Sequence, residues 1–183
     1  MEYNKIAKAV HKNAVEHGWW EETRPVACVM ALIHSELSEA LEEERVGRPF
    51  VYVEDEYNGR ETDMEHFNGR KPEGTGIELT DTVIRILDLA GRYRVDMDKI
   101  MGCKFLDLVP DIYSLIADCH FYVSEAYIKH CEGDDAEKIF SSLGEVVCMI
   151  EGYVAEAGYS LEQLINIKHE YNKTRPYKHG KAF

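Results

Sequence analysis

An all-α fold follows from three features of this 183-residue sequence. Apolar residues return at three- and four-residue spacing, as in Val26, Val29, Met30, Ile33, Leu37, Ala40 and Leu41, and again in Ile77, Val83, Ile84 and Leu87. Helix start and stop residues bracket these stretches. Hydrophobic residues make up 45% of the chain, enough to bury a real core, so residues 1–183 are expected to form one domain.

The first helix is expected to end at Gly18. A second runs from about Pro25, a good first-turn residue, to just before Gly47. A third starts after Thr75 and continues to about Tyr93. Pro110 opens a long helix to about Cys131, Asp134 or Asp135 caps another that ends near Gly158, and Ser160 with Gln163 resembles a capping box for the last. Residues 47–75 carry glycines, two prolines and many charges without a sustained period, which reads as a long mobile loop, either a functional lid or disordered. Leu79–Met101 also aligns with Leu143–Ile165, each a long helix, a turn and a short helix, and each preceded by a long helix (Pro25–Val46 and Pro110–Cys131). The chain thus reads as two tandem helical-hairpin repeats forming a four-helix core with crossings near 20°. The alternative is a chance alignment of amphipathic helices.

Composition narrows the function. With 21 Lys and Arg against 34 acidic residues, the net charge is −13, which repels a nucleic-acid backbone; no nucleic-acid polymer is expected as a partner. The five cysteines are scattered with no CxxC, which argues against a zinc knuckle or a disulfide framework and fits a reducing cytoplasm. The longest apolar run, Val26–Ile33, is far below the roughly 20 residues that span a bilayer, and no signal-peptide pattern opens the chain; neither membrane insertion nor export is expected.

Two helices each offer a pair of acids three residues apart. In the second helix Glu36 and Glu39 share a stripe with Glu43, about 60° and 120° from Ile33, at the edge of the buried face. In the third, the polar wedge holds Glu78, Asp81, Arg85 and Asp88. Four facing carboxylates converge only around positive charge. An all-oxygen set without Cys or His suits Mg²⁺, with Mn²⁺ as the alternative; a diiron centre would want Glu-x-x-His, which is absent. The plainer readings are a Thr75–Glu78 capping box and a solvated face at Glu39, Glu42, Glu43 and Glu44.

Lys168 to Phe183 holds five Lys or Arg and one acid, against the trend of the chain. It either pairs with the acidic surface or supplies phosphate ligands. Lys168, Asn172 and Arg175 share a face if the last helix reaches that far before Pro176 ends it. Trp19 and Trp20 are either a base-stacking surface or core. His34 faces away from Glu36 and is given no catalytic role.

Three stretches, Ala31–Glu43, Ile77–Gly91 and Lys168–Gly180, resemble MazG-like nucleotide pyrophosphohydrolases of the all-α NTP pyrophosphatase superfamily. The resemblance covers about half the chain, and its core is ExxE and ExxD at Glu36, Glu39, Glu78 and Asp81. It implies a MazG-like four-helix core and hydrolysis of a nucleoside triphosphate to monophosphate and pyrophosphate, for example as nucleotide-pool cleaning. The four acids would hold Mg²⁺, either Glu36 or Glu39 would position the attacking water, Lys168 and Arg175 would bind phosphate oxygens, and Asn172 would bond phosphate or sugar. The chain departs from the pattern in the long gap between Glu39 and Glu78 and in residues 102–167, inserted before the terminal Lys-x-x-x-Asn. There Ser142 and Glu145 fall at Glu78 and Asp81, while a gapless overlay of the preceding helices puts Asp118 and Phe121 at Glu36 and Glu39. The expectation is one live site per chain, with a catalytic half at 1–102 and a degenerate half plus basic segment at 103–183. The degenerate half acts as the scaffold that a second subunit supplies in simpler relatives, as in dimeric dUTPases; the sequence does not fix the oligomer, and a homo-dimer is one option. The rival reading is a catalytically silent helical module of this fold that binds a nucleotide or a protein.

Overall fold

The computed structural model describes residues 1–53, 67, 69–104 and 111–180. It is predominantly helical: α1 (Tyr3–Glu16), α2 (Val26–Val46), α3 (Thr75–Tyr93), α4 (Met97–Met101), α5 (Ile112–Glu132), α6 (Ala136–Glu156) and α7 (Leu161–Thr174), followed by a 3-10 turn at Tyr177–Gly180. Pro25 sits at the N-cap of α2, one residue outside its first turn. The expected helix start at Pro110 lies outside the described residues, and α5 is capped by Asp111, whose carboxylate accepts from the Tyr113 and Ser114 N–H groups. Asp135, not Asp134, caps α6. Ser160 caps α7 through the Gln163 N–H.

The two ends of the 47–75 stretch are structured, contrary to the loop reading. Strands β1 (Tyr52–Val53) and β2 (Pro72–Glu73) pair antiparallel, with Tyr52 opposite Glu73, and Val51, Val53 and Phe67 are buried in the core. Two-residue strands are too short for any periodicity to announce them. Residues 54–66 and 68 lie outside the described residues.

α2 packs on α3, α5 on α6, α2 on α5 and α3 on α6, giving a four-helix core; α1 and α7 lie against α3, and α4 against α6. α3 is the central helix, with twelve of its 19 residues buried, among them Ile77, Leu79, Ile86 and Leu87. Each such apolar side chain contributes about 1.5–3 kcal/mol on burial, so α3 is held firmly enough to carry charged groups inward. The buried positions Val29, Met30, Ile33, Leu37 and Ala40 of α2 correspond at one constant shift to Leu115, Ile116, Cys119, Val123 and Ala126 of α5. Both helices end on a left-handed glycine, Gly47 and Gly133. All five cysteines are free. Among the described residues, no helix is long and apolar enough to cross a membrane.

Gly74 starts α3 with φ of 112°, and a Cβ there would lie 2.5 Å from the Pro49 carbonyl oxygen. Gly74→Ala is therefore expected to destabilise the fold by about 1–3 kcal/mol, seen as a lower urea midpoint. At the α2–α5 seam the corresponding residues His34 and His120 share one Nδ1–Nδ1 hydrogen bond of 2.7 Å with nearly parallel rings. Burial holds both imidazoles below their usual range, and His34 lowers His120 further. The unfolded chain thus protonates more readily, so stability from this seam is complete above about pH 6.5 and is lost as pH falls through the folded values. The urea midpoint of His34→Gln is expected to depend less on pH between 7 and 5 than that of the wild type.

Candidate functional site

Glu36 from α2 and Glu78 and Asp81 from α3 each bring a carboxylate oxygen to one place, all within 4.8 Å of one another. Glu36 and Glu78 are buried, and Asp81 is half-buried. The capping-box alternative for Glu78 is not realised. Gly74 occupies the N-cap, and Thr75 lies inside the helix with its hydroxyl buried and without a hydrogen-bond partner among the described residues. Glu78 instead turns into the seam between α2 and α3.

Burial and then the neighbouring Asp81 push the Glu78 carboxyl up to about 9. Burial also raises Glu36, against the pull of Arg85. Two cations face these acids. Arg85 Nε donates to Glu36 Oε1 at 2.6 Å, and Nη2 reaches the same oxygen. Lys168, only 5% exposed, pairs its ammonium with Asp81 Oδ2 at 2.8 Å. Burial alone would lower the Lys168 ammonium, yet Asp81 and Glu78 outweigh it and hold the group above its usual range. Three carboxylates, two cations and one proton on Glu78 make a neutral cluster, the condition for keeping it out of water.

Glu39 lies on the rim, exposed, and accepts a hydrogen bond from Ser35 Oγ at 3.0 Å; it is not one of the three converging acids. Glu43 accepts from the Tyr52 hydroxyl at 3.2 Å. Asp88, the last acid of the α3 wedge, is bound to His11 at 2.7 Å and to Trp20 Nε1 at 3.0 Å. That hydrogen bond, with Arg92 lying over its ring, gives Trp20 a structural role.

Beside the acids opens a cleft walled by Val10, Asn13 and Ala14 of α1, Trp19 and Arg24 of the following loop, Asp81, Ile84, Arg85 and Asp88 of α3, and Asn172 and Arg175 at the end of α7. The basic segment therefore does meet the acidic helices: Asn172 and Arg175 line the cleft, and Lys168 reaches it through Asp81. Arg175 has left the helix for an extended conformation, so its place does not depend on the i+7 spacing. The Asn172 amide oxygen is buried with no hydrogen-bond partner among the described residues. Three arginines, Arg24, Arg85 and Arg175, line one cleft of a protein with net charge −13. Arg24 lies 4.9 Å over the Trp19 ring. Sequence reasoning gave Arg24 no role because the loop that places it has no period; Arg85 stood in the acidic wedge but was given none either. That loop is fixed at its start by the Lys178 N–H on the His17 carbonyl and by the Tyr177 ring against Gly18.

The second half has a counterpart arrangement. The burial pattern of α2 and α5 matches Glu36 to Tyr122 and Glu39 to Glu125, a different register from the gapless overlay onto Asp118 and Phe121, because buried apolar positions fix a helix's rotation. Ser142 and Glu145 stand for Glu78 and Asp81, and the same shift sets Lys104 against Lys168. With Lys104 counted as the end of the first repeat and Lys168 as the end of the second, each ion pair crosses between repeats: Asp81 pairs with Lys168, and Glu145 with Lys104 at 2.6 Å. Where acids would gather in this half, the Lys129 ammonium donates to Ser142 Oγ at 2.7 Å and pairs with Glu125 at 3.1 Å.

Compared with family models, with curated proteins and with solved structures, the chain finds no match.

In buffer containing EDTA, the raised Glu78 carboxyl sets a pH dependence. It stays protonated in the folded protein up to about 9, while the unfolded chain ionises near 4.5. Its contribution is present below the unfolded value and is lost as pH rises through the folded one. Glu78→Gln is therefore expected to raise the urea midpoint at pH 8.5 relative to wild type and to have little effect at pH 4.5.

Proposed function

We propose that this chain is a MazG-like nucleoside triphosphate pyrophosphohydrolase, cleaving a (d)NTP to (d)NMP and pyrophosphate in the service of nucleotide-pool cleaning. The observation that carries this reading is the junction of the Glu36, Glu78 and Asp81 oxygens with a cleft lined by Arg24, Arg85 and Arg175. The first group suits a hard divalent cation, and the second suits the anionic chain of a polyphosphate.

The donor set fits Mg²⁺ or Mn²⁺: three carboxylates with converging oxygens, and among the described residues no His or Cys in the group. Glu36, Glu78 and Asp81 would hold the ion, which supplies charge withdrawal from phosphate oxygens and a more acidic water. Glu39, exposed beside Glu36 and outside the converging set, is suited to accept a proton from the attacking water. Arg175 binds phosphate oxygens in the cleft, and Lys168 orients Asp81 through their ion pair. The Asn172 amide oxygen is an acceptor, so it selects a donor such as a sugar hydroxyl, while ionised phosphate oxygens suit its NH₂. Trp19 forms part of the cleft wall, with Arg24 over its ring.

On this reading α2–α3 and α5–α6 are two copies of one hairpin unit, and the matching burial pattern and crossed ion pairs support the duplication. The second half keeps Glu125 and Glu145 but holds a lysine beside Glu125, and serves as scaffold, leaving one active site per chain.

Incubation with a panel of NTPs and dNTPs, with Mg²⁺ or EDTA, tests the proposal by assaying pyrophosphate and orthophosphate separately. Pyrophosphate plus monophosphate, abolished by EDTA, is the expected result. Glu36→Gln and Asp81→Asn should each lower kcat more than about 100-fold, beyond what loss of a residue merely supporting a metal ligand costs, with helical circular dichroism retained. Orthophosphate alone would mean a different phosphohydrolase, and no product would favour the silent binding module.

A further inference from the structure

We infer that Arg85 is an exchangeable counter-ion: it neutralises Glu36 in the metal-free protein and turns into the cleft as a phosphate ligand when a divalent cation takes that carboxylate. The inference rests on the proposed reading of the acid cluster and cleft, and adds a coupling between their two ligands.

Both Arg85 contacts fall on one oxygen, Oε1 of Glu36. A cation bound to that oxygen would face the guanidinium's like charge at contact distance, so the two compete. The cations of the cluster differ in their freedom to leave. The Lys168 side chain is 6% exposed and enclosed, whereas that of Arg85 is 32% exposed and already lines the cleft. Only Arg85 has somewhere to go. Its destination is set by α3, which places it one turn after Asp81, beside Asn172 and Arg175, where its planar fork matches phosphate oxygens. Filling the metal site thus releases a third guanidinium to the anion, and removing Arg85 should separate the two affinities in opposite directions.

The test follows the Arg85 side chain directly. In the ¹⁵N spectrum of the full chain, the Nε–H signal assigned by its loss in Arg85→Lys should shift on Mg²⁺ titration, and shift again when inorganic pyrophosphate is added. In parallel, Mn²⁺ binding measured by electron paramagnetic resonance at pH 8 should tighten about tenfold in Arg85→Gln, while pyrophosphate binding to the Mn²⁺-loaded variant weakens about tenfold. If wild type binds Mn²⁺ but the Arg85 signal stays put and Arg85→Gln binds Mn²⁺ no more tightly, Arg85 is a fixed salt-bridge partner and the inference is overturned while the metal site stands. If wild type binds no Mn²⁺ and shows no turnover, the functional reading falls and takes this inference with it. Should Arg85→Gln fail to fold, the wild-type Mg²⁺ titration alone decides.

Discussion

Three carboxylates closed into the seam between two packed helices impose a condition on the whole chain, because buried charge must be balanced locally. Asp81 finds its balance in Lys168, which only α7 can deliver, so α7 must dock on α3. Glu36 finds its own in Arg85 of the neighbouring helix. α3 carries two of the acids and one of the cations, and the apolar contacts on the rest of its surface keep those groups where they are. The cleft is a by-product of the same docking: α1 and α7 both lie on α3, and the arginines line the space between them.

Much of this was legible in the residues. A three-residue spacing puts Glu78 and Asp81 on one side of a helix whatever surrounds it, and Lys168 and Asn172 one turn apart likewise share a face. The exposure of Glu39 was legible as the plainer of two readings, about 120° from Ile33, whereas its grouping with the three other acids rested on the ExxE pattern alone. The start of α3 was not legible: Thr75 with Glu78 has the form of a capping box, while the backbone at Gly74 selects a different cap. Arg24 and Trp19 come from a loop held by Tyr177, a contact between distant segments that no local pattern encodes. The strand pair of Tyr52–Val53 with Pro72–Glu73 escaped for the simpler reason of its length.

The comparison of halves shows how the same geometry serves two ends. On one side the positions bear Glu36, Glu78 and Asp81; on the other, Tyr122, Ser142 and Glu145. A lysine ammonium between Ser142 and Glu125 satisfies with a fixed charge what remains of the acidic set. In both halves tethered side chains balance the acids: Lys129 here, and Arg85 and Lys168 there.

The pairing of Asp81 with Lys168 also ties together residues far apart along the chain. Helices α2 and α3 are near neighbours in sequence and can meet early, whereas α7 must close a long stretch of chain before its lysine reaches the acids. Until α7 is in place the acids of α2 and α3 lack their most deeply buried cation. In the finished structure the ammonium is shielded from solvent, so dissolved salt screens this pair far less than it screens the exposed ion pairs of the surface.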